Sequence, residues 1–64
     1  RREALVLEAL RAAGAAGVDE LVAVVYRGLA VELQRFARLS LLAHLIKLQR
    51  EGRARRDDDR WHAA

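Results

Sequence analysis

Apolar positions recur along this chain with a helical period in three successive segments, and after the third the period is lost. From about Arg2 to Ala13, Leu5, Val6, Ala9, Leu10 and Ala13 fall at helical spacing. Glu3 and Glu8 stand early in this segment and Arg11 late, an order that complements the helix dipole. Gly14 suits a C-cap, and the link Gly14-Ala15-Ala16-Gly17 is short and built of small residues. Asp19 is a good N-cap for a second helix that runs to about Arg27, with Leu21, Val24 and Val25 on its inner face. Val18 precedes that cap as a hydrophobic staple, or pairs as a very short strand with the C-terminal hairpin. Tyr26 closes the second helix and Gly28 stops it. A long third helix is predicted from about Val31 to Glu51, with Leu33, Ala37, Leu41, His44, Leu45 and Leu48 on one face and Gly52 at its end.

After Gly52 two short strands are predicted, Arg53 to Arg56 and Arg60 to Ala63, around the turn-rich tip Asp57-Asp58-Asp59. Ala54 and Trp61 have the parity to share the inner side, which would pack the indole onto the helices. Three helices with a tight link between the first two, a long third helix and a hairpin make a mainly α fold with a small β-hairpin. That is the element order of a winged helix, three helices plus a two-stranded wing, with residues 1–64 as a single domain. There is no internal repeat and no low-complexity segment.

Composition narrows the function classes. With 64 residues the chain suffices for one domain. A domain this small buries only about 60% of the surface its unfolded chain exposes. Below roughly 70–80 residues a staple, a metal or a partner surface is usually needed. There is no cysteine, hence no disulfide and no thiolate zinc site. That fits a reducing compartment, and the expected localisation is cytoplasmic. No apolar run approaches the roughly 18–20 residues of a membrane span, so no membrane partner is expected. The chain opens on Arg1, not methionine, and is expected to be a piece of a longer protein. Twelve basic residues against nine acidic ones give a mild net charge of +3, and eleven of the twelve cations are arginine. Arginine favours phosphate and carboxylate contacts. Abundant Ala and Arg with a single Lys is equally what a biased base composition produces. Tyr26, Phe36 and Trp61 are the only aromatics, too few for a base-stacking platform.

Two stretches carry a family resemblance. One is Asp19-Glu20-Leu21-Val22-Ala23-Val24-Val25-Tyr26, after Val18. The other runs Ser40-Leu41-Leu42-Ala43-His44-Leu45-Ile46-Lys47-Leu48-Gln49-Arg50-Glu51-Gly52-Arg53, followed by Arg60-Trp61. Together they resemble the C-terminal winged-helix domain of metallo-β-lactamase-fold hydrolases, in the lactamase-like group that includes an endoribonuclease. In that group the domain reads D-E-L-V-x-x-V-Y, then A-H-L-x-K-L-x-x-E-G-R, then a tryptophan in the wing. The resemblance implies a zinc-dependent hydrolase as the parent, with a metallo-β-lactamase-fold catalytic domain in the same chain and this domain at its C-terminal end. It carries no metal ligand onto this chain: an H-x-H-x-D-H motif is absent, and His44 and His62 are the only histidines. Zinc is thus expected in the parent and no cofactor in these residues. Ala43 to Leu48 also resembles the recognition helix of small metal-sensing repressors, S-R-H-L-x-x-L-x-x-A-G. Leu42-Ala43 stands where that pattern has Ser-Arg, which removes a phosphate-contacting arginine.

The outer face of the third helix decides between the classes. It carries Arg35, Arg38, Leu39, Leu42, Ile46, Gln49 and Arg50. Leu39, Leu42 and Ile46 form a second apolar stripe, opposite the core stripe, and Leu29 and Val31 would extend it. A groove-reading helix needs polar side chains at such positions. An apolar stripe suits a protein surface. The first reading is therefore a docking interface, Leu39, Leu42 and Ile46, toward a partner domain or a second copy in a homodimer. The alternative is a DNA-binding transcriptional regulator module. Its candidate nucleic-acid contacts are Arg35 and Arg38 on the helix and Arg53, Arg55 and Arg60 in the wing, where His62 shares the outer side. The Asp57-Asp58-Asp59 tip would set carboxylates against phosphates, and a solvated hairpin whose arginines pair with those aspartates and Glu51 is the simpler expectation. His44, beside an apolar face, reads as a structural histidine bonded to a loop carbonyl. Trp61 reads as the anchor of the hairpin. No catalytic residue is assigned: Ser40, the only serine, has His44 one turn on but no third member and no oxyanion donor.

Overall fold

A computed structural model describes residues 2–64. Its elements are α1 (Arg2–Ala13), β1 (Ala15–Ala16), α2 (Val18–Val25), a 3-10 turn (Val31–Leu33), α3 (Gln34–Arg50), β2 (Ala54–Asp57) and β3 (Arg60–Ala63). The three strands form one antiparallel sheet in the order β1-β3-β2. Helices and hairpin appear where the apolar pattern puts them, and the fold is a winged helix with one strand more than its two-stranded wing.

That added strand corrects the expectation for Val18. Ala15 pairs with His62 and Ala16 with Trp61, whereas Val18 is already helical. The chain leaves α1 through Gly14 at a φ of 80°, a left-handed conformation that costs a glycine little. It then lies along β3 for two residues before α2 begins. The start of α2 differs too. Its N-cap is Gly17, not Asp19, and the Glu20 carboxylate reaches back to accept the Gly17 N–H at 2.7 Å. The helix starts one residue before Asp19, which frees the Asp19 side chain for α3. It also ends at Val25, short of Arg27.

The faces of α1 and α2 are turned relative to their periodicity. Val6, Leu7 and Leu10 are buried in α1, while Leu5 and Ala13 are exposed. Leu21 and Val22 are buried in α2, while Val24 is exposed and Val25 half-buried. Helix α1 packs on β3 as well as on α2 and α3, so that neighbours on several sides cover it and Leu7 is buried too. In α3, Ala37, Leu41, Leu45 and Leu48 are buried as predicted, and His44 is half-buried. Leu33 is exposed, because Val31–Leu33 form a 3-10 turn and the α-helix begins only at Gln34. Helix α3 closes in a Schellman arrangement. Arg53 N–H donates to Leu48 O at 2.8 Å and Gly52 N–H to Gln49 O at 3.0 Å, with Gly52 at a φ of 75°.

Strand β2 starts one residue later than predicted and includes Asp57, which pairs with Arg60. Asp58, at a φ of 58°, turns the chain. Ala54 and Trp61 are both buried, so the predicted parity holds. They join the helix residues and Ala16 in one core.

Helix α1 is also tied to α3 at the surface. Lys47 Nζ donates to Glu3 Oε1 at 2.7 Å. This hydrogen bond, reinforced by the Lys47 and Arg53 charges, holds the Glu3 carboxyl below the usual carboxylate range. The same bond, reinforced by the Glu3 and Glu51 charges, holds the Lys47 ammonium above the usual lysine range. A depressed carboxyl stabilises the fold fully above its unfolded-state range and loses that contribution as pH falls through its folded value. The raised ammonium contributes fully below the ordinary lysine range and loses its share as pH rises through the raised value. Glu3→Gln is therefore expected to flatten part of the acid-side decline in denaturation midpoint, by a small amount, as befits an exposed pair. Parallel pH profiles for the two proteins would contradict the assignment.

Candidate docking face

Helix α3 presents two apolar stripes because residues three and four apart share a face. Ala37, Leu41, Leu45 and Leu48 fill the inner one. Leu39, Leu42 and Ile46 form the outer one, 67%, 36% and 36% exposed. The three candidate docking residues thus lie together on the side of α3 turned from the core. Leu29 and Val31 do not simply prolong this stripe. Leu29 joins Tyr26, Leu33, Phe36, Ala37 and Ser40 in a separate groove of about 310 Å³, and Val31 stands exposed. Tyr26 Oη donates to Ser40 Oγ at 2.9 Å on the wall of that groove. A further groove of about 260 Å³ lies between α1 and α2, lined by Leu5, Ala9, Val24 and Val25 among others. Leu5, Val24 and Phe36 are further exposed apolar residues, none of which the apolar periodicity placed on an outer face. Leu5 and Val24 read as core, and Phe36 sits between the two stripes.

The charged candidates divide by their partners. Arg38 is bonded to Asp19 on α2. Arg53 lies 3.5 Å from Glu51 and 3.7 Å from Glu3. Arg60 donates to Ala15 O at 2.8 Å and sits 3.6 Å from Glu20. Arg35 stacks over the neighbouring Phe36 ring, 5.2 Å from its centroid. Among the described residues, neither Arg35 nor Arg55 has an ion-pair partner. Arg55 faces His62 across the hairpin, on the side of the sheet turned from Trp61. The expected pairing of wing arginines with the aspartate tip is absent among the described residues. Arg53 turns to glutamates of α1 and the α3 cap, and Arg60 bonds to β1 and lies against Glu20 of α2. Glu51 is engaged as expected. His44 makes no side-chain hydrogen bond to a loop carbonyl among the described residues, which corrects that part of its expected role.

Among the described residues no group of three or more His, Asp or Glu side chains is placed to hold a metal ion. The zinc implied by the family resemblance finds no ligand set in them. No helix among them is long and apolar enough to cross a membrane.

Three helices, a Trp61-anchored hairpin and a long α3 with an unfilled outer face define a winged-helix domain. More narrowly, the chain belongs to the family described as the beta-lactamase associated winged helix domain, which matches residues 17–61. The matched span leaves out α1 and β1, although both complete the core and the sheet in this chain. Neither a curated protein nor a solved structure matches at a significant level.

Proposed function

We propose that residues 1–64 form an accessory domain at the C-terminal end of a cytoplasmic, zinc-dependent metallo-β-lactamase-fold hydrolase. The domain docks on the catalytic domain of the same chain through Leu39, Leu42 and Ile46 and helps shape access to the zinc site. The observation that carries this reading is the apolar stripe on the outer face of α3. The lactamase association of the family supports the choice of partner. At about 25 cal/mol per Å² of apolar surface, covering three such side chains contributes a few kcal/mol. That is a large fraction of the stability expected for a domain of this size. The domain itself supplies no catalytic group. It acts by position, and any hydrolytic chemistry belongs to the catalytic domain's own residues.

Thermal unfolding of the full-length protein tests the docking. A docked domain is expected to melt with the catalytic domain in one transition. Leu39→Asp or Leu42→Asp should split that transition in two and lower activity or solubility severalfold, while the domain expressed alone stays folded. Unfolding of the isolated domain by both changes would make the stripe part of the core. A single transition that survives both changes would place the contact elsewhere.

A further inference from the structure

The charges around the stripe bear on what covers it. The seventeen residues of α3 include Arg35, Arg38, Lys47 and Arg50, and no Asp or Glu. Two of these cations are compensated within the domain, Arg38 by Asp19 and Lys47 by Glu3 and Glu51. Arg35 and Arg50 are exposed and have no ion-pair partner among the described residues. The acid beside Arg50 in sequence, Glu51, is taken by Lys47 and Arg53. At roughly 100° per residue, Arg35, Leu39, Leu42, Ile46 and Arg50 fall within an arc of about 80°. The two uncompensated guanidinium groups therefore belong to the two ends of the apolar stripe, on Cα positions about 22 Å apart along the helix axis.

This arrangement selects among occupants. A two-fold antiparallel pairing of α3 with a second copy, centred between Leu42 and Ala43, sets Leu39 opposite Ile46 but also Arg35 opposite Arg50. A parallel pairing sets each arginine against its own equivalent. Like charges meet at both ends in either case, which opposes self-association. A nucleic acid would compensate the arginines but leave three aliphatic side chains against base edges or phosphates. A protein surface with an apolar centre and carboxylates at both ends satisfies both features, since the guanidinium fork bonds a carboxylate bidentately and arginine is favoured at interface rims and hot spots. Resting on the docking reading above, we propose that the catalytic-domain surface covering α3 carries two carboxylate sites, spaced to receive Arg35 and Arg50, on either side of an apolar seat for Leu39, Leu42 and Ile46.

Zero-length carbodiimide cross-linking of the full-length protein carrying Arg35→Lys and Arg50→Lys tests this. The reagent joins an amine to a carboxylate only where the two touch, and the Lys47–Glu3 pair at 2.7 Å is a built-in positive control. The expected result is two cross-links, from positions 35 and 50 to two separate acidic stretches of the catalytic domain, both lost on adding Leu42→Asp. Appearance of the Lys47–Glu3 product alone, with melting still in one transition, overturns the acidic surface and leaves docking standing. Two transitions in the unsubstituted protein overturn the docking reading itself. Cross-links between isotopically distinct copies would assign the face to a homodimer. Salt-sensitive retention of duplex DNA, lost on Arg35→Glu with Arg50→Glu, would assign it to nucleic acid; either result overturns the proposal.

Discussion

Trp61→Ala is expected to unfold this domain when it is expressed alone. Trp61 is 3% exposed and sits on β3, the central strand of the sheet. Its backbone faces Ala16 on one side and Arg56 on the other, and β3 packs on α1. The indole is therefore the largest side chain joining the sheet to the helices, in a core otherwise made of Ala, Val and Leu. Truncating a buried Trp or Phe costs roughly 3–5 kcal/mol, from lost transfer energy and the cavity left behind. At roughly 0.05–0.15 kcal/mol per residue, the whole domain has about 3–10 kcal/mol to lose. Far-UV circular dichroism during urea or heat denaturation reads the result. Trp61→Phe keeps an aromatic ring on the same strand and should retain most of the stability. A cooperative melt of Trp61→Ala within about 5 °C of the parent, the shift of roughly 1 kcal/mol at this size, would show that the hairpin is held by other contacts.

The inner face of α3 and the inner parity of the hairpin were legible in the sequence, and both for a local reason. Four buried residues of α3, Ala37 to Leu48, follow an unbroken helical period, and Ala54 and Trp61 follow from strand alternation. What was not legible depends on neighbours distant in sequence. Ala15–Ala16 has neither β-branched nor aromatic residues to mark a strand, and it is one because β3 lies beside it. Leu7 replaces Leu5 in the core because α1 meets the sheet as well as two helices. Val22 replaces Val24 in α2, a helix of eight residues, too short for its period to fix its rotation.

The candidate face divides in the same way. Outward apolar positions can be counted off a helix, so Leu39, Leu42 and Ile46 were visible as a stripe before the structure. Which arginines are spent inside the domain was not. Asp19 lies nineteen residues from Arg38, and Ala15 lies forty-five from Arg60. Only the packing of α2 on α3, and of β1 on β3, brings these groups together. The sequence-adjacent aspartates of the wing tip were the more obvious partners, yet Arg60 bonds to β1 and lies against Glu20 of α2. Long arginine stems reach whichever acceptor the fold brings near, and sequence spacing ranks those acceptors poorly.

Leu45→Ala is expected to cost roughly 2–5 kcal/mol, as deletion of a fully buried leucine does. Leu45 has no exposed surface and lies at the centre of the inner stripe, between Leu41 and Leu48. The same substitution on the opposite face, Leu39→Ala, removes a side chain that is 67% exposed and is expected to stay within about 0.5 kcal/mol of the parent. Chemical denaturation of the two variants of the isolated domain measures this difference directly, with the helix propensity change identical in both. The comparison separates a helix with one core face and one docking face from a helix buried on both sides. In the full-length protein the order should compress. Leu39→Ala would then lose the contact made by docking, and its cost should rise toward that of a partly buried leucine. Equal and large losses for both variants in the isolated domain would show that the outer stripe already belongs to its core. A cost for Leu39→Ala that is negligible in both forms would show that nothing covers it.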